Sequence, residues 1–225
     1  VLSAQATTSL AAARAAGALC DWFQLYWLGR DATLTLARRA AEAGCAALVL
    51  TVDAPVAGQR LRELRAGFAL PAGIEAVNLA GLPRPGVTFD AITAAAPRWA
   101  DLAWLCAAAP VPVLVKGILH PDDAVHAIGA GAAGIVVSNH GGRVLDGLPA
   151  SIEALSAVAA AVAGRVPVLV DGGIRSGADV LRALARGADA VMVGRPLVWG
   201  LAAAGATGVA MSCACCATSC GSPWP

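Results

Sequence analysis

Charge is scarce in this chain. Only 14% of its 225 residues are charged against 58% hydrophobic, and 16 Lys and Arg nearly balance 15 Asp and Glu, leaving a net +1. With no basic stripe or basic helix face, there is no electrostatic case for nucleic acid. So apolar a composition excludes disorder across most of the length, and it supplies ample material for a core. No positively charged segment with a cleavage pattern opens the sequence, so no secretory signal is expected and a cytoplasmic location is. Paired C-x-x-C spacing is also missing. Cys213, Cys215, Cys216 and Cys220 crowd one tail with no histidine nearby, and no metal site is expected. Cys20, Cys45 and Cys106 lie in Ala-rich, helix-like surroundings and read as buried thiols of a reduced protein. From Pro196 to Pro225 there is no charge at all, which raises a membrane span. The second half of that stretch is Ser, Cys, Gly and Pro rather than Leu, Ile and Phe, which weighs against one.

What is present is an alternation. Short apolar runs occur at 22–26, 48–53, 111–116, 134–138, 166–171 and 190–194, and Val1-Leu2-Ser3 reads as the end of another. Between them lie segments of helical period: Ala32–Ala43 with Arg38, Arg39 and Glu42 on a wet face, Pro121–Ile128, Ser151–Ala163 and Gly177–Arg186. Near-continuous apolar strands separated by amphipathic segments predict buried parallel strands covered by helices. Val111-Pro-Val-Leu-Val-Lys116-Gly, followed by Gly131 to Ser138, repeats about fifty-five residues later as Val166-Pro-Val-Leu-Val-Asp171-Gly, then Gly187 to Gly194. Repeated βαβ units predict an α/β fold, a (β/α)8 TIM barrel, rather than an open sheet. Residues 54–98 form the longest irregular region, as expected of an excursion that covers a site.

Polar residues fall at the C-terminal ends of the strands, the face that carries function in such a barrel. They are Gln24 and Tyr26, Thr51 and Asp53, Lys116, Ser138 and His140, Asp171, and Gly194-Arg195. In Ser138-Asn139-His140-Gly141-Gly142-Arg143 a potential base and a fixed cation stand three residues apart across two glycines. That is what proton or hydride removal beside a carboxylate needs. Asp171-Gly172-Gly173-Ile174-Arg175 and Gly194-Arg195-Pro196 each set backbone N–H groups beside an arginine, a pattern that predicts a phosphate cradle.

These motifs, with Trp-Phe-Gln-Leu-Tyr at 22–26, Leu-Thr-Val-Asp at 50–53 and Leu-Val-Lys-Gly at 114–117, resemble the FMN-dependent α-hydroxy-acid oxidases and dehydrogenases. The resemblance runs from Leu2 to about Ala204. It implies FMN as cofactor and oxidation of a small (S)-2-hydroxy acid to the 2-oxo acid. Oxygen, a quinone or a cytochrome would be the electron acceptor, and the full-length protein could form a homotetramer. It further implies that His140 removes a proton from the substrate hydroxyl or α-carbon and that Asp53 stabilises the imidazolium. Arg60 and Arg143 would clamp the carboxylate, Tyr26 would hydrogen-bond the substrate oxygen, and Lys116 would lie by the flavin N1/O2 edge. Ser3, Gln24, Thr51 and Ser138 would contact the flavin ring; Asp171, Gly172, Gly173, Arg175, Gly194 and Arg195 would hold the phosphate end. Gln5, Gln59 and Val144 depart from the family pattern. Another FMN barrel, such as a flavin-dependent isomerase, and an inactive fragment are the alternatives.

The family normally begins well upstream, so the barrel is expected to be incomplete, with its first strand and N-terminal segment absent. Residues 1–204 would form the partial barrel domain. Residues 205–225 are expected to be an atypical, disordered tail replacing the last helix. A neighbouring reading frame of that tail can be written as a leucine-periodic, charge-faced helix, which points to a frameshift that the codons themselves would test.

Overall fold

The computed structural model describes residues 1–17, 21–55, 60–83 and 89–218. Gln59, Cys20 and residues 219–225 lie outside the described residues. In chain order the elements are β1 Leu2–Ser3, α1 Leu10–Ala15, β2 Trp22–Tyr26, α2 Arg30–Glu42, β3 Ala47–Thr51, α3 Leu61–Arg65, α4 Phe89–Ala95, α5 Trp99–Ala108 and β4 Val113–Ile118. There follow α6 Pro121–Gly129, β5 Gly134–Val137, α7 Ser151–Val162, β6 Val168–Asp171, α8 Gly177–Ala185, β7 Ala190–Met192 and α9 Arg195–Thr218. Every observed strand pairing is parallel. Strand and helix alternate as a (β/α)8 barrel requires, so the fold is a partial TIM barrel. The chain divides into two compact units, residues 1–117 with 126–134, and 118–125 with 135 onward.

In the first unit, β1 to β4 pair in chain order. Leu2 lies opposite Phe23, Leu25 opposite Leu50, and Leu50 opposite Val115. All five residues of β3 are buried, which is why its sequence is a continuous apolar run instead of an alternation. Helix α2 forms because Thr33, Leu36, Ala37 and Ala40 recur at helical spacing and are buried, while Arg38, Arg39 and Glu42 stay exposed. The carbonyls just past its end accept from Arg14, which donates from Nε to Ala43 O at 2.9 Å and from Nη2 to Gly44 O at 2.9 Å. The region 54–98 is less irregular than its sequence predicts. It contains α3, α4 and a 3₁₀ turn at Val77–Leu79, and Asn78 ties that turn to the segment after β1 by accepting from Leu10 N at 3.0 Å and donating to Thr8 O at 3.1 Å.

In the second unit, β5, β6 and β7 pair in order, with Val137 opposite Val170 and Asp171 opposite Met192. Helices α7 and α8 cover them through Leu155, Val158, Val162 and Ala183. The expectation of disorder from residue 205 is corrected as far as residue 218, because α9 continues to Thr218. The helix breaks at Ala204 (φ −151°) and Gly205 (φ 58°) and folds back on itself. Ser212 Oγ bonds Pro196 O at 3.1 Å, and Gly200 and Gly208 meet backbone to backbone. Two features favour this over disorder: Ala-rich segments form helix at little entropic cost, and paired glycines let two helical segments approach closely. By length and composition alone residues 195–217 could cross a membrane, but the break divides the helix into two shorter pieces.

Candidate active site

Parallel pairing places the ends of the first unit's strands at one level. Tyr26 is in register with Thr51, and Thr51 with Lys116. A chain of hydrogen bonds crosses β1, β2 and β3 and ends on Thr51. Ser3 Oγ donates to Gln24 Oε1 at 2.6 Å, and Gln24 Nε2 donates to Thr51 Oγ1 at 2.8 Å, which sets the orientation of the carboxamide. Thr51 and Lys116 are buried, the lysine at 8% exposure. Asp53 follows β3, and its closeness to β4 depends on a glycine. Gly117 has φ +110°, and a Cβ there would stand 2.5 Å from Asp53 Cβ. Val52 N donates to Lys116 O at 2.9 Å and extends the pairing up to Asp53.

Tyr26, Asp53 and Arg60 share one electrostatic neighbourhood. Burial raises the Tyr26 phenol above its ordinary value of 10.0, the Asp53 carboxylate raises it further, and Arg60 pulls the other way. Arg60 itself precedes α3, is half exposed, and lies 3.1 Å from Glu63 Oε2. Its guanidinium is thus engaged with a neighbouring carboxylate one helical turn away.

The second unit carries His140. Ser138, fully buried at the end of β5, accepts from His140 N at 3.0 Å. His140, Gly141 and Gly142 are consecutive left-handed residues with φ of 56°, 68° and 69°. Two glycines take that backbone freely; the histidine pays about 1 kcal/mol or more for it, and such strain concentrates at functional positions. Asn139 organises the turn. Its backbone and side-chain oxygens both accept from Gly142 N, at 3.0 and 3.2 Å, and its Nδ2 donates to Pro149 O at 3.1 Å. Ser151, the buried first residue of α7, accepts from Asn139 N at 3.0 Å. Arg195 donates from Nη2 to Gly141 O at 3.1 Å. Arg143 is exposed on the following turn.

Asp171 ends β6, and Gly172 and Gly173 continue in left-handed backbone (φ 85° and 83°), turning the chain towards α8. A Cβ on Gly172 would stand 3.3 Å from Ser151 Oγ, a tight approach in addition to its left-handed φ. Arg175 Nη1 donates to Ile174 O at 2.9 Å, and its guanidinium lies 5.1 Å from the centre of the Trp199 ring. Gly194 O accepts from Leu197 N and Val198 N as α9 begins.

The two units divide the sequence-predicted set. Ser3, Gln24, Tyr26, Thr51, Asp53, Arg60 and Lys116 belong to the first, and Ser138, His140, Arg143, Asp171, Gly172, Gly173, Arg175, Gly194 and Arg195 to the second. Three supporting residues stand outside the expected site set. Asn139 and Ser151 hold the His140 turn, though only the folded chain shows that they meet. Asp179 caps α8 by accepting from Arg175 N, Ser176 N and Ser176 Oγ, all within 3.1 Å. Its Ser-x-x-Asp spacing is a legible capping box. Part of the N-terminal donor set of α8 is therefore already bound by Asp179. Burial would raise the Asp179 carboxyl, but the hydrogen bonds from Ser176, Arg175 and Arg182 outweigh it and hold the group below 3.8.

A parallel β/α fold whose strand ends carry glycine turns is a barrel architecture suited to holding a cofactor. The chain belongs to the FMN-dependent dehydrogenase family, whose profile matches residues 1–218. It is 53% identical over 197 residues to an L-lactate oxidase of Roseobacter sp., covering 83% of this chain and 53% of that protein. It is 50% identical over 208 residues to 4-hydroxymandelate oxidase of Amycolatopsis orientalis, covering 84% and 55%. Among solved structures, mandelate oxidase with 3,3-difluoro-2-hydroxy-3-phenylpropionic acid superimposes with a TM-score of 0.86 at 48% identity, covering 97% of this chain and 62% of that one. The chain thus spans a little over half the length of the curated relatives it matches. FMN is the family's cofactor, and the donor set suits it: two arginines and an open glycine turn for a phosphate, and a buried cation with an ordered hydroxyl–carboxamide chain for a polar ring edge.

Proposed function

We propose that the chain carries the site of an FMN-dependent oxidation of a small (S)-2-hydroxy acid to the 2-oxo acid. The observation that carries this reading is the left-handed His140 turn, a base held in costly backbone by Ser138, Asn139 and Arg195. When bound, FMN supplies the two-electron acceptor. His140 accepts a proton from the substrate hydroxyl or α-carbon, and Asp53 is the carboxylate that favours its protonated form. Arg143 and Arg60 bind the substrate carboxylate, Arg60 on exchanging its partner Glu63 for the substrate. Tyr26, kept protonated by burial and by Asp53, donates to the substrate oxygen. Lys116 places a fixed positive charge at the ring, with Ser3, Gln24, Thr51 and Ser138 as its polar contacts. Asp171, Gly172, Gly173, Arg175, Gly194 and Arg195 hold the ribityl phosphate end.

Relatives named for lactate, 4-hydroxymandelate and glycolate oxidation support a 2-hydroxy-acid substrate, and oxygen is the acceptor their names favour. The test is anaerobic: the chain is reconstituted with FMN and mixed in turn with L-lactate, glycolate and (S)-mandelate. Bleaching of the flavin by at least one of them, lost in His140→Gln, is the expected result. A chain that binds FMN and is bleached by none of the three overturns the reading.

A further inference from the structure

The turn that presents His140 is held partly from within its own segment, by Ser138 and Asn139. One anchor comes from much farther along the chain, where Arg195 Nη2 donates to Gly141 O across 54 residues. The contact requires the glycine. Gly141 has φ +68°, and a Cβ there would stand 2.7 Å from Arg195 Nη2 and 3.4 Å from its Cζ. Arg195 is also the arginine of the Gly194-Arg195 turn to which the phosphate is assigned. A guanidinium offers five N–H donors in a fixed planar fork, so a single side chain can bond one carbonyl and still face an anion.

We infer that Arg195 is a positioning residue for His140: through the Gly141 carbonyl it ties the geometry of the base-bearing turn to occupancy of the phosphate site. This rests on the proposed reading of Arg195 as a phosphate ligand. Arg195 is exposed, so in the flavin-free chain its bond to Gly141 is shared with water and holds the turn weakly. An anion that fixes the guanidinium removes that competition and tightens the turn. Linkage makes the effect reciprocal, so a turn locked in place improves the affinity for the anion by the same factor.

The test can be made without turnover. The chain has three histidines. His120→Gln and His126→Gln variants assign two of the ring resonances, which leaves the third to His140. In the flavin-free chain, inorganic phosphate is expected to shift the His140 resonance and leave those of His120 and His126 in place. Arg195→Met is expected to shift it with no ligand added and to abolish the response to phosphate, the other two histidines reporting that the variant is folded. Arg195→Lys keeps the charge without the fork and should retain a reduced response. Losing one charge-assisted hydrogen bond should weaken FMN binding about ten- to hundred-fold while leaving riboflavin, which lacks the phosphate, within about twofold. If FMN binding weakens but the His140 resonance neither differs in Arg195→Met nor responds to phosphate, the coupling is overturned and the phosphate reading stands. If FMN binding is unchanged in Arg195→Met, the phosphate role of Arg195 fails and the coupling fails with it.

Discussion

Gly117→Ala is the substitution whose consequence can be worked most directly from the structure. The residue follows Lys116 in β4 with φ +110°, a conformation that costs a residue with a side chain about 1–3 kcal/mol. The added Cβ would then crowd three atoms of Asp53, 2.5 Å from its Cβ, 2.7 Å from its Cγ and 2.8 Å from its backbone nitrogen. None of these is the free end of a flexible side chain. The preceding residue, Val52, is bonded to the Lys116 carbonyl, so the segment cannot retreat without breaking that bond. Overpacking of this kind costs a further ~1–3 kcal/mol, and the two together come to about 4 kcal/mol. Against a total stability of about 5–15 kcal/mol that is a large fraction. In a domain of this length it lowers Tm by about 8–16 °C.

Gly73→Ala is the control. Its φ of +81° is comparably unfavourable, but nothing lies within 4 Å of the added Cβ, so it bears the backbone cost alone, about 1 kcal/mol. Thermal and urea unfolding of both variants separate the two contributions. If Gly117→Ala and Gly73→Ala unfold at the same midpoint, the close approach of Asp53 to β4 is wrong, and with it the account of why this strand end carries a glycine.

Tyr26 is the chain's single tyrosine, so the phenolate absorbance titrates it alone. Its pKa should lie above 10.0 and fall back towards that value in Asp53→Asn; because the fold favours the protonated phenol, stability should decline as pH rises above 10.0. A titration at or below 10.0 would remove the argument that Asp53 and burial act on this group. Ser151→Ala deprives Asn139 N of its acceptor and should cost about 1–2 kcal/mol, with faster amide exchange at Asn139, whereas Ser151→Thr keeps the hydroxyl and the protection. Equal exchange in all three proteins would sink the role given to Ser151. Asp179 has a folded pKa below 3.8, so its contribution is present above that pH and lost as pH falls through the folded value. Asp179→Asn should therefore be less stable than the parent near neutrality and converge with it in acid; a difference independent of pH would contradict the capping account.

The strands were legible because burial on both faces leaves an apolar run in the sequence, and Trp22–Tyr26 appears with the bounds its composition predicts. Two runs start later than predicted, at Val113 and Val168, for one reason. Pro112 and Pro167 have no N–H to donate, though their carbonyls still accept from Leu48 and Ile135. The polar residues at the strand ends were legible for a related reason, since a hydrophilic group closing an apolar strand has few structural uses. The short helices of the 54–98 excursion were not: α3 has five residues and none buried, so no hydrophobic period marks it. Helicity in residues 205–218 was also hidden, because it depends on Gly200 and Gly208 meeting across a chain reversal and not on an amphipathic pattern. The same limit applies to the site. Which residues are expected to carry chemistry can be read along the chain, but what holds them cannot. Asn139 with Ser151, Asp53 with Gly117 and Gly141 with Arg195 become neighbours only once strands are in register and turns adopt left-handed backbone. In each pair one partner is a glycine or a small polar residue whose partner the sequence does not name. Substitutions that spare every expected catalytic group should therefore still impair the site when they fall on Gly117, Gly141 or Ser151.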